Sequence, residues 1–240
     1  MQPFLTANWK NLLLFNFEAD PALLRPYLPA YTELDFFGGK TYLSLVGFLF
    51  EKTKLKGISV PAHQTFEEVN LRFYVRYKEA GKWKRGVAFI KELVPKPMIT
   101  FVANTLYNEK YATLPMKHKW EFSDQAIEIS YQWKLKDTWN FLTATANKES
   151  IAIEDNSENE FILEHYWGYT QINNKLSGEY EVKHPKWMVH PVRNFNYYCD
   201  TLNLYGEAFV PALQQPGSVI LATGSEIEVM PGRKIRSIPL

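Results

Sequence analysis

The chain has 240 residues and is 46% apolar, 15% aromatic and 22% charged, the composition of a folded globular protein rather than a disordered one. Its 27 basic and 26 acidic side chains leave a net charge of +1, which gives no electrostatic reason to expect nucleic acid or an anionic membrane as partner. Cys199 is the single cysteine and cannot close an internal disulfide. The most apolar run, 42–50, is too short to span a bilayer, and the N-terminus lacks the pattern of a signal peptide, so the expected location is the cytoplasm.

Period two dominates the pattern. A weak strand at 8–17 opens it, and Asp20-Pro21 reads as the N-cap and first-turn proline of a helix reaching about Tyr27. A weak strand at 31–37 and the Gly38-Gly39 turn lead into the run 42–50, which fits a strand buried on both faces. Segment 53–65, polar and punctuated by Gly and Pro, reads as a loop. From 69 to 77, Val69, Leu71, Phe73, Val75 and Tyr77 share one strand face, while Glu68, Asn70, Arg72, Tyr74 and Arg76 share the other. The Ala80-Gly81 turn precedes a second buried run at 87–90. Pro97 opens a helix ending near Tyr107, with Ile99, Val102 and Leu106 along one side. A weak strand at 113–122 and the Ser123-Asp124 turn precede the alternating strand 127–135, followed by a weaker one at 138–147. Ser157 and Glu160 form a capping box before Phe161. Weak strands at 179–184, 187–198 and 219–229, a short helical turn before Gly206 and a Pro231-Gly232 turn complete the chain. No repeat or linker interrupts it, so a single domain over 1–240 is expected. Many strands at short spacing with few helices imply a mainly β (α+β) fold with helices packed outside a closed or double sheet.

The row Glu68, Asn70, Arg72 has i, i+2, i+4 spacing, so its side chains emerge together. If they point inward, each needs a partner, because a buried unpaired charge is costly. A Glu–Arg pair with an amide between them could satisfy itself and leave donors for a carboxylate or carbonyl ligand. Arg72 would be the anion clamp and Glu68 the acid or base. The alternatives are a solvated strand face, since alternating strands usually have one, or a buried network that only sets register. The five histidines, His63, His118, His165, His184 and His190, show no metal-ligand spacing and no clustered Cys or Asp, so no metal is expected. Cys199 has no activating cation, Ser225 lacks a Gly-x-Ser-x-Gly elbow, and there is no Gly-rich phosphate loop.

The segment Phe66-Glu67-Glu68-Val69-Asn70-Leu71-Arg72-Phe73-Tyr74-Val75 resembles the central strand of the YqjF-like bacterial proteins, a family of unknown function in the acetoacetate decarboxylase-like superfamily. The resemblance continues at Arg85-Gly86-Val87-Ala88-Phe89, Glu164-His165-Tyr166, His184-Pro185-Lys186-Trp187 and Ser225-Glu226-Ile227-Glu228-Val229, and it includes Trp9, Asp20-Pro21 and Leu24-Arg25-Pro26 near the start. It implies a twisted, largely antiparallel β-barrel or cone with a few short flanking helices and an internal cavity. In acetoacetate decarboxylase a lysine in an apolar pocket forms a Schiff base with a keto acid, its pKa depressed by burial and a neighbouring cation. Here Lys91-Glu92-Leu93-Val94-Pro95-Lys96 is loosely similar to the segment carrying that lysine, with a shorter spacer and with Pro97 where a second lysine stands.

The resemblance thus implies Glu68, Lys91 and Lys96 as catalytic candidates. Asn70, Arg72, Glu92, His184 and Trp187 become ligand contacts, with the last two lining or capping the cavity at a strand kink. The residues by themselves also fit a Lys91 paired with Glu92 or a neighbouring strand, and a solvated Lys96 at a helix start. The expected partner is a small carboxylate or carbonyl compound, with no cofactor, metal, nucleic acid or membrane; a homo-oligomer stays open. Three functions remain: a decarboxylase- or lyase-like enzyme, a non-catalytic sensor or carrier, and a structural or interaction domain with a filled barrel.

Overall fold

The computed structural model describes residues 2–106 and 109–236. In chain order its strands begin with β1 (Leu5–Ala19), β2 (Glu33–Leu34), β3 (Thr41–Leu55), β4 (Ile58–Ser59), β5 (Phe66–Glu79) and β6 (Lys82–Val94). They continue with β7 (Tyr111–Thr113), β8 (Met116–Phe122), β9 (Ala126–Leu135), β10 (Thr138–Asn147) and β11 (Ile151–Ala152). The last are β12 (Trp167–Asn173), β13 (Leu176–Lys183), β14 (Met188–His190), β15 (Val192–Tyr198), β16 (Ser218–Val229) and β17 (Arg233–Ile235). Four short helices, α1 (Pro21–Leu24), α2 (Pro97–Leu106), α3 (Glu158–Leu163) and α4 (Thr201–Tyr205), lie between them.

The large sheet runs β11-β14-β16-β1-β3-β5-β6-β12-β13-β17, and the small one runs β15-β10-β9-β8. Pairing is antiparallel except where β12 and β7 run parallel to β6. β13 also touches β16, but only through Val182–Val229 and Lys183–Glu228. The large sheet therefore curls into a twisted cone and not a closed barrel, the cone being one of the two forms that the resemblance implied. Local chemistry sets its hairpins. Ala80 and Gly81 have φ of +48° and +79° between the paired Glu79 and Lys82, the two left-handed residues of a type I′ turn whose twist matches its strands.

The alternation of β5 decides the layering. Val69, Leu71, Phe73, Val75 and Tyr77 join Tyr131 and Trp133 of β9 in a core between the two sheets. β3 is buried along all of 41–50, as its continuous apolar run requires, because it packs on the small sheet with one face and on a second core with the other. That second core holds Tyr42, Phe48, Phe50, Phe66 and Trp187, with Phe161, Ile162 and Leu163 of α3. The Ser157 hydroxyl caps α3 by accepting from the Glu160 amide, while the Glu160 carboxylate reaches the Asn156 amide, one residue earlier than a regular capping box.

Several expectations need correction. The 53–65 segment is not all loop, since β3 continues to Leu55 and turns back into β4. Only Glu33–Leu34 is strand within 31–37. The 187–198 segment divides at Pro191, which has no amide hydrogen to donate, into β14 on the large sheet and β15 on the small one. The first helix gives way to a tighter 3-10 turn at Arg25–Tyr27, around Pro26. β12 had no counterpart in the expected elements. The expected end of the second helix, Tyr107, lies outside the described residues.

Candidate functional site

Because the apolar face of β5 packs on the small sheet, Glu68, Asn70 and Arg72 point the other way, into a cavity of about 310 Å³ in the second core. Aromatic side chains of Trp9, Phe48, Phe50, Phe66 and Trp187 form much of its wall, and Met98, Ile99 and Val102 of α2 cover part of it. Glu68 is 3% exposed, and Asn70 and Glu92 are each 2% exposed. Asn70 Nδ2 donates to Glu68 Oε1 at 3.0 Å, and the Tyr111 hydroxyl donates to Glu68 Oε2 at 2.9 Å. Burial pushes the Glu68 carboxyl up to about 7, although both hydrogen bonds and the Arg72 charge pull it down.

Two further carboxyls share the space. Glu92, opposite Asn70 on β6, is held well above its ordinary range by burial and by the charges of Glu109 and Glu68. Glu109 is raised to about 8 by burial, against a hydrogen bond from Tyr180. Tyr180 reaches the cavity because Gly168, its partner across β12 and β13, has no side chain: a Cβ there would lie 2.2 Å from Tyr180 Cζ. Three carboxyls thus face one guanidinium. The Arg72 side chain makes no hydrogen bond or ion pair with any described residue, and its Nε is buried without a partner. Its guanidinium carbon sits 5.8 Å from the centre of the Tyr74 ring.

His184 stacks on Trp187, with ring centres 4.0 Å apart, and on Tyr166 at 4.6 Å. Trp187 Nε1 donates to Ser225 Oγ at 2.8 Å, which fixes this wall. Both residues line the cavity.

The lysines do not. β6 carries a bulge beside Leu71 and Arg72: Lys91 pairs with Leu71 and Phe89 with Arg72, which leaves Ile90 without a partner. Val87 and Phe89 line the cavity before the bulge, and Glu92 lines it after. Lys91 is turned to the inter-sheet side, where its Nζ donates to the Leu204 carbonyl and burial lowers its pKa. Lys96 is half-buried at the start of α2, where its charge helps hold Glu67 below its ordinary range, against burial. Among the described residues no lysine lines the cavity, which corrects the expectation of a lysine at its edge.

The polar wall also includes groups that the sequence pattern did not single out, namely Glu109, Tyr111, Tyr180 and His165. His165 Nε2 lies 3.2 Å from Asp35 Oδ2, and Arg85 Nε donates to the same oxygen at 2.6 Å. Burial by itself would raise Asp35, but the hydrogen bonds from His165 and Arg85 hold it below its ordinary range. The only signal for these residues was the match at Glu164-His165-Tyr166; Asp35, Tyr111 and Tyr180 come from other elements and share no spacing with β5. Among the described residues no cluster of His, Cys, Asp and Glu could hold a metal ion, and no helix is long and apolar enough to cross a membrane.

Known proteins share both the sequence and the fold. "Uncharacterized protein YqjF" of Bacillus subtilis strain 168 is 26% identical over 183 residues, which is 75% of this chain and 73% of that protein. Solved structures with a similar fold include acetoacetate decarboxylase from Legionella pneumophila, with TM-score 0.64, 14% identity and coverage of 97% of this chain and 87% of that one. An acetoacetate decarboxylase-like enzyme from Sphingomonas wittichii RW1 gives TM-score 0.65 at 10% identity, covering 99% and 95%. The enduracididine biosynthesis enzyme MppR, complexed with pyruvate, gives TM-score 0.68 at 10% identity, covering 99% and 92%. At these identities the likeness shows the fold, a twisted β-cone of the acetoacetate decarboxylase type. The model of DUF2071, described as an uncharacterized conserved protein, matches residues 6–226, and the chain belongs to that family.

Proposed function

We propose that this protein binds a small carboxylate that also carries a carbonyl group, with Arg72 holding the carboxylate and Glu68 serving as the acid that acts on the carbonyl. The carrying observation is Arg72: a guanidinium on the wall of an apolar cavity, with a buried Nε and no partner among the described residues. Burying part of a guanidinium with no hydrogen-bonded partner is costly, and a bound carboxylate would offset that cost through a bidentate, charge-assisted contact. Glu68 supports the acid role because near neutral pH it still holds a proton much of the time. Asn70 and Tyr111 fix its orientation. The pyruvate complex of MppR is in keeping with this substrate class. The reading uses no lysine Schiff base. A filled structural barrel fits poorly with a cavity of this size lined by buried Glu68, Asn70 and Glu92.

Calorimetry and thermal shift with 2-oxo acids bearing short apolar tails test this directly. The wild-type chain should bind and be stabilised, and Arg72→Met should lose about 10- to 100-fold in affinity, the usual range for a charge-assisted contact. Equal affinity of the two proteins would overturn the clamp. Borohydride added to the same mixtures should leave the protein's mass unchanged under conditions that trap a known decarboxylase; a trapped adduct would restore the lysine mechanism. Ligands recovered unchanged after long incubation would favour a sensor or carrier built on the same cavity.

A further inference from the structure

We propose that His165, held by Asp35, is the base of a proton-transfer pair, taking a proton from C3 of a 2-oxo acid whose carboxylate sits on Arg72 while Glu68 protonates the carbonyl oxygen. The proposal rests on the binding mode above and adds a reaction to it. His165 lines the same cavity as Glu68 and Arg72, and its side chain is only 1% exposed. An ionised Asp35 can only accept a hydrogen bond, so the ring proton is on Nε2, facing Asp35 Oδ2. Nδ1 therefore carries the lone pair, and Nδ1 is buried with no partner among the described residues. A buried imidazole with one nitrogen tied to a carboxylate and the other vacant is the arrangement of an oriented base. The tie itself is braced: Arg85 Nε donates to the same Asp35 oxygen, and the rings of Tyr74 and Phe161 lie 4.8 Å and 5.1 Å from the imidazole centre.

The charges around the ring fit the task. Burial, together with Arg85 and Arg72, holds His165 down to about 4, while Asp35 works in the opposite sense, so the free protein presents a neutral imidazole. A carboxylate seated on Arg72 offsets one of those cations, so substrate binding itself raises the basicity of His165. The step balances without an oxidant or any added reactant. The C3–H bond breaks, and its proton goes to Nδ1. Its electron pair becomes the C2–C3 double bond, while the carbonyl π pair takes the Glu68 proton. The products are the enol, an imidazolium beside Asp35 and a Glu68 carboxylate near Arg72. Reversal after the imidazolium exchanges its proton with solvent restores the keto acid with solvent hydrogen at C3.

The measurement is deuterium uptake at C3 of 2-oxobutanoate and 4-methyl-2-oxopentanoate in heavy water near neutral pH, read as loss of the methylene proton signal. The wild-type chain should accelerate it well above buffer. His165→Asn keeps a donor for Asp35 but removes the base, so exchange should fall about 100-fold, within the usual reach of general base catalysis, while calorimetric affinity for the same acids changes by less than about threefold. Asp35→Asn, which leaves the imidazole free to take the wrong tautomer, should lower the rate with little change in affinity. If His165→Asn fails to fold, Asp35→Asn and rescue of His165→Ala by added imidazole carry the test. Binding without exchange by the wild-type chain, or exchange by His165→Asn at the wild-type rate, overturns the proton-transfer role and leaves the Arg72 clamp standing. No binding by the wild-type chain, or equal binding by Arg72→Met, overturns the clamp and this proposal with it.

Discussion

Replacing Glu68 with Gln should make the protein's stability less sensitive to pH, and the structure gives the size and sign of the change. Glu68 is buried, and its carboxyl is raised from 4.5 to about 7. A raised carboxyl makes the folded state bind its proton more tightly than the unfolded chain does. The stability that this contributes is complete below the unfolded pKa near 4.5, and it is lost as pH rises through the folded value near 7. Each pH unit between the folded and unfolded values is worth about 1.36 kcal/mol, so the loss between pH 5 and pH 8.5 amounts to about 2.5 kcal/mol. Gln cannot titrate, but it can keep both local contacts: its oxygen accepts from Asn70, and its amide can donate to the Tyr111 oxygen once that hydroxyl turns. Urea unfolding of both proteins at the two pH values reads the effect; removing the Glu68 charge also eases the rise of Glu92 and Glu109, which adds to the difference in the same sense. The variant should gain about 2.5 kcal/mol on the wild type from pH 5 to pH 8.5. Parallel stability curves would mean that the Glu68 carboxyl is well hydrated, and the acid role would lose its basis.

Lys91→Met should leave 2-oxo acid affinity unchanged within about twofold by calorimetry, because the Nζ faces Leu204 and not the cavity, and should change stability by about 1 kcal/mol through the lost hydrogen bond. Gly168→Ala should destabilise by about 2 kcal/mol in denaturant and weaken ligand binding, since its Cβ would fall 2.2 Å from Tyr180 Cζ and the ring must leave its place. Carboxylate affinity should fall as pH rises from 6.5 to 9, because Glu68 (about 7) and Glu109 (about 8) become anionic beside the bound anion; affinity constant across that range would place the ligand elsewhere.

Much of the fold was legible where one periodicity ruled a whole strand. In β5 the apolar set marked the inter-sheet face, and in β3 the unbroken apolar run marked burial on both sides. The capping signals at Asp20 and Ser157 also marked real helix starts, because those side chains accept from Ala22 and Glu160 amides just inside α1 and α3. Legibility failed where pairing overrides pattern. β12 reads Trp167-Gly168-Tyr169-Thr170-Gln171 with no alternation, since Gly168, Tyr169 and Thr170 are all buried between β6 and β13. Cone or closed barrel is likewise a matter of two residue pairs between β13 and β16, to which no local signal corresponds.

The candidate site shows the same division more sharply, and the bulge in β6 is where it turns. A regular β6 with Val87 and Phe89 on the cavity wall would carry Lys91 on that wall too, and Glu92 would face the inter-sheet core. The single extra residue reverses both: Lys91 leaves the cavity, and Glu92 enters it opposite Asn70. One backbone irregularity therefore exchanges a potential nucleophile for a third carboxyl. That exchange also explains why Glu92 is raised, because it places the carboxyl in a buried space shared with Glu109 and Glu68. Burial raises all three carboxyls above their ordinary range, and Arg72 is the cation that faces them. In this cone of the acetoacetate decarboxylase type the Arg72 guanidinium therefore stands among three carboxyls, and among the described residues no lysine amine shares the cavity with them.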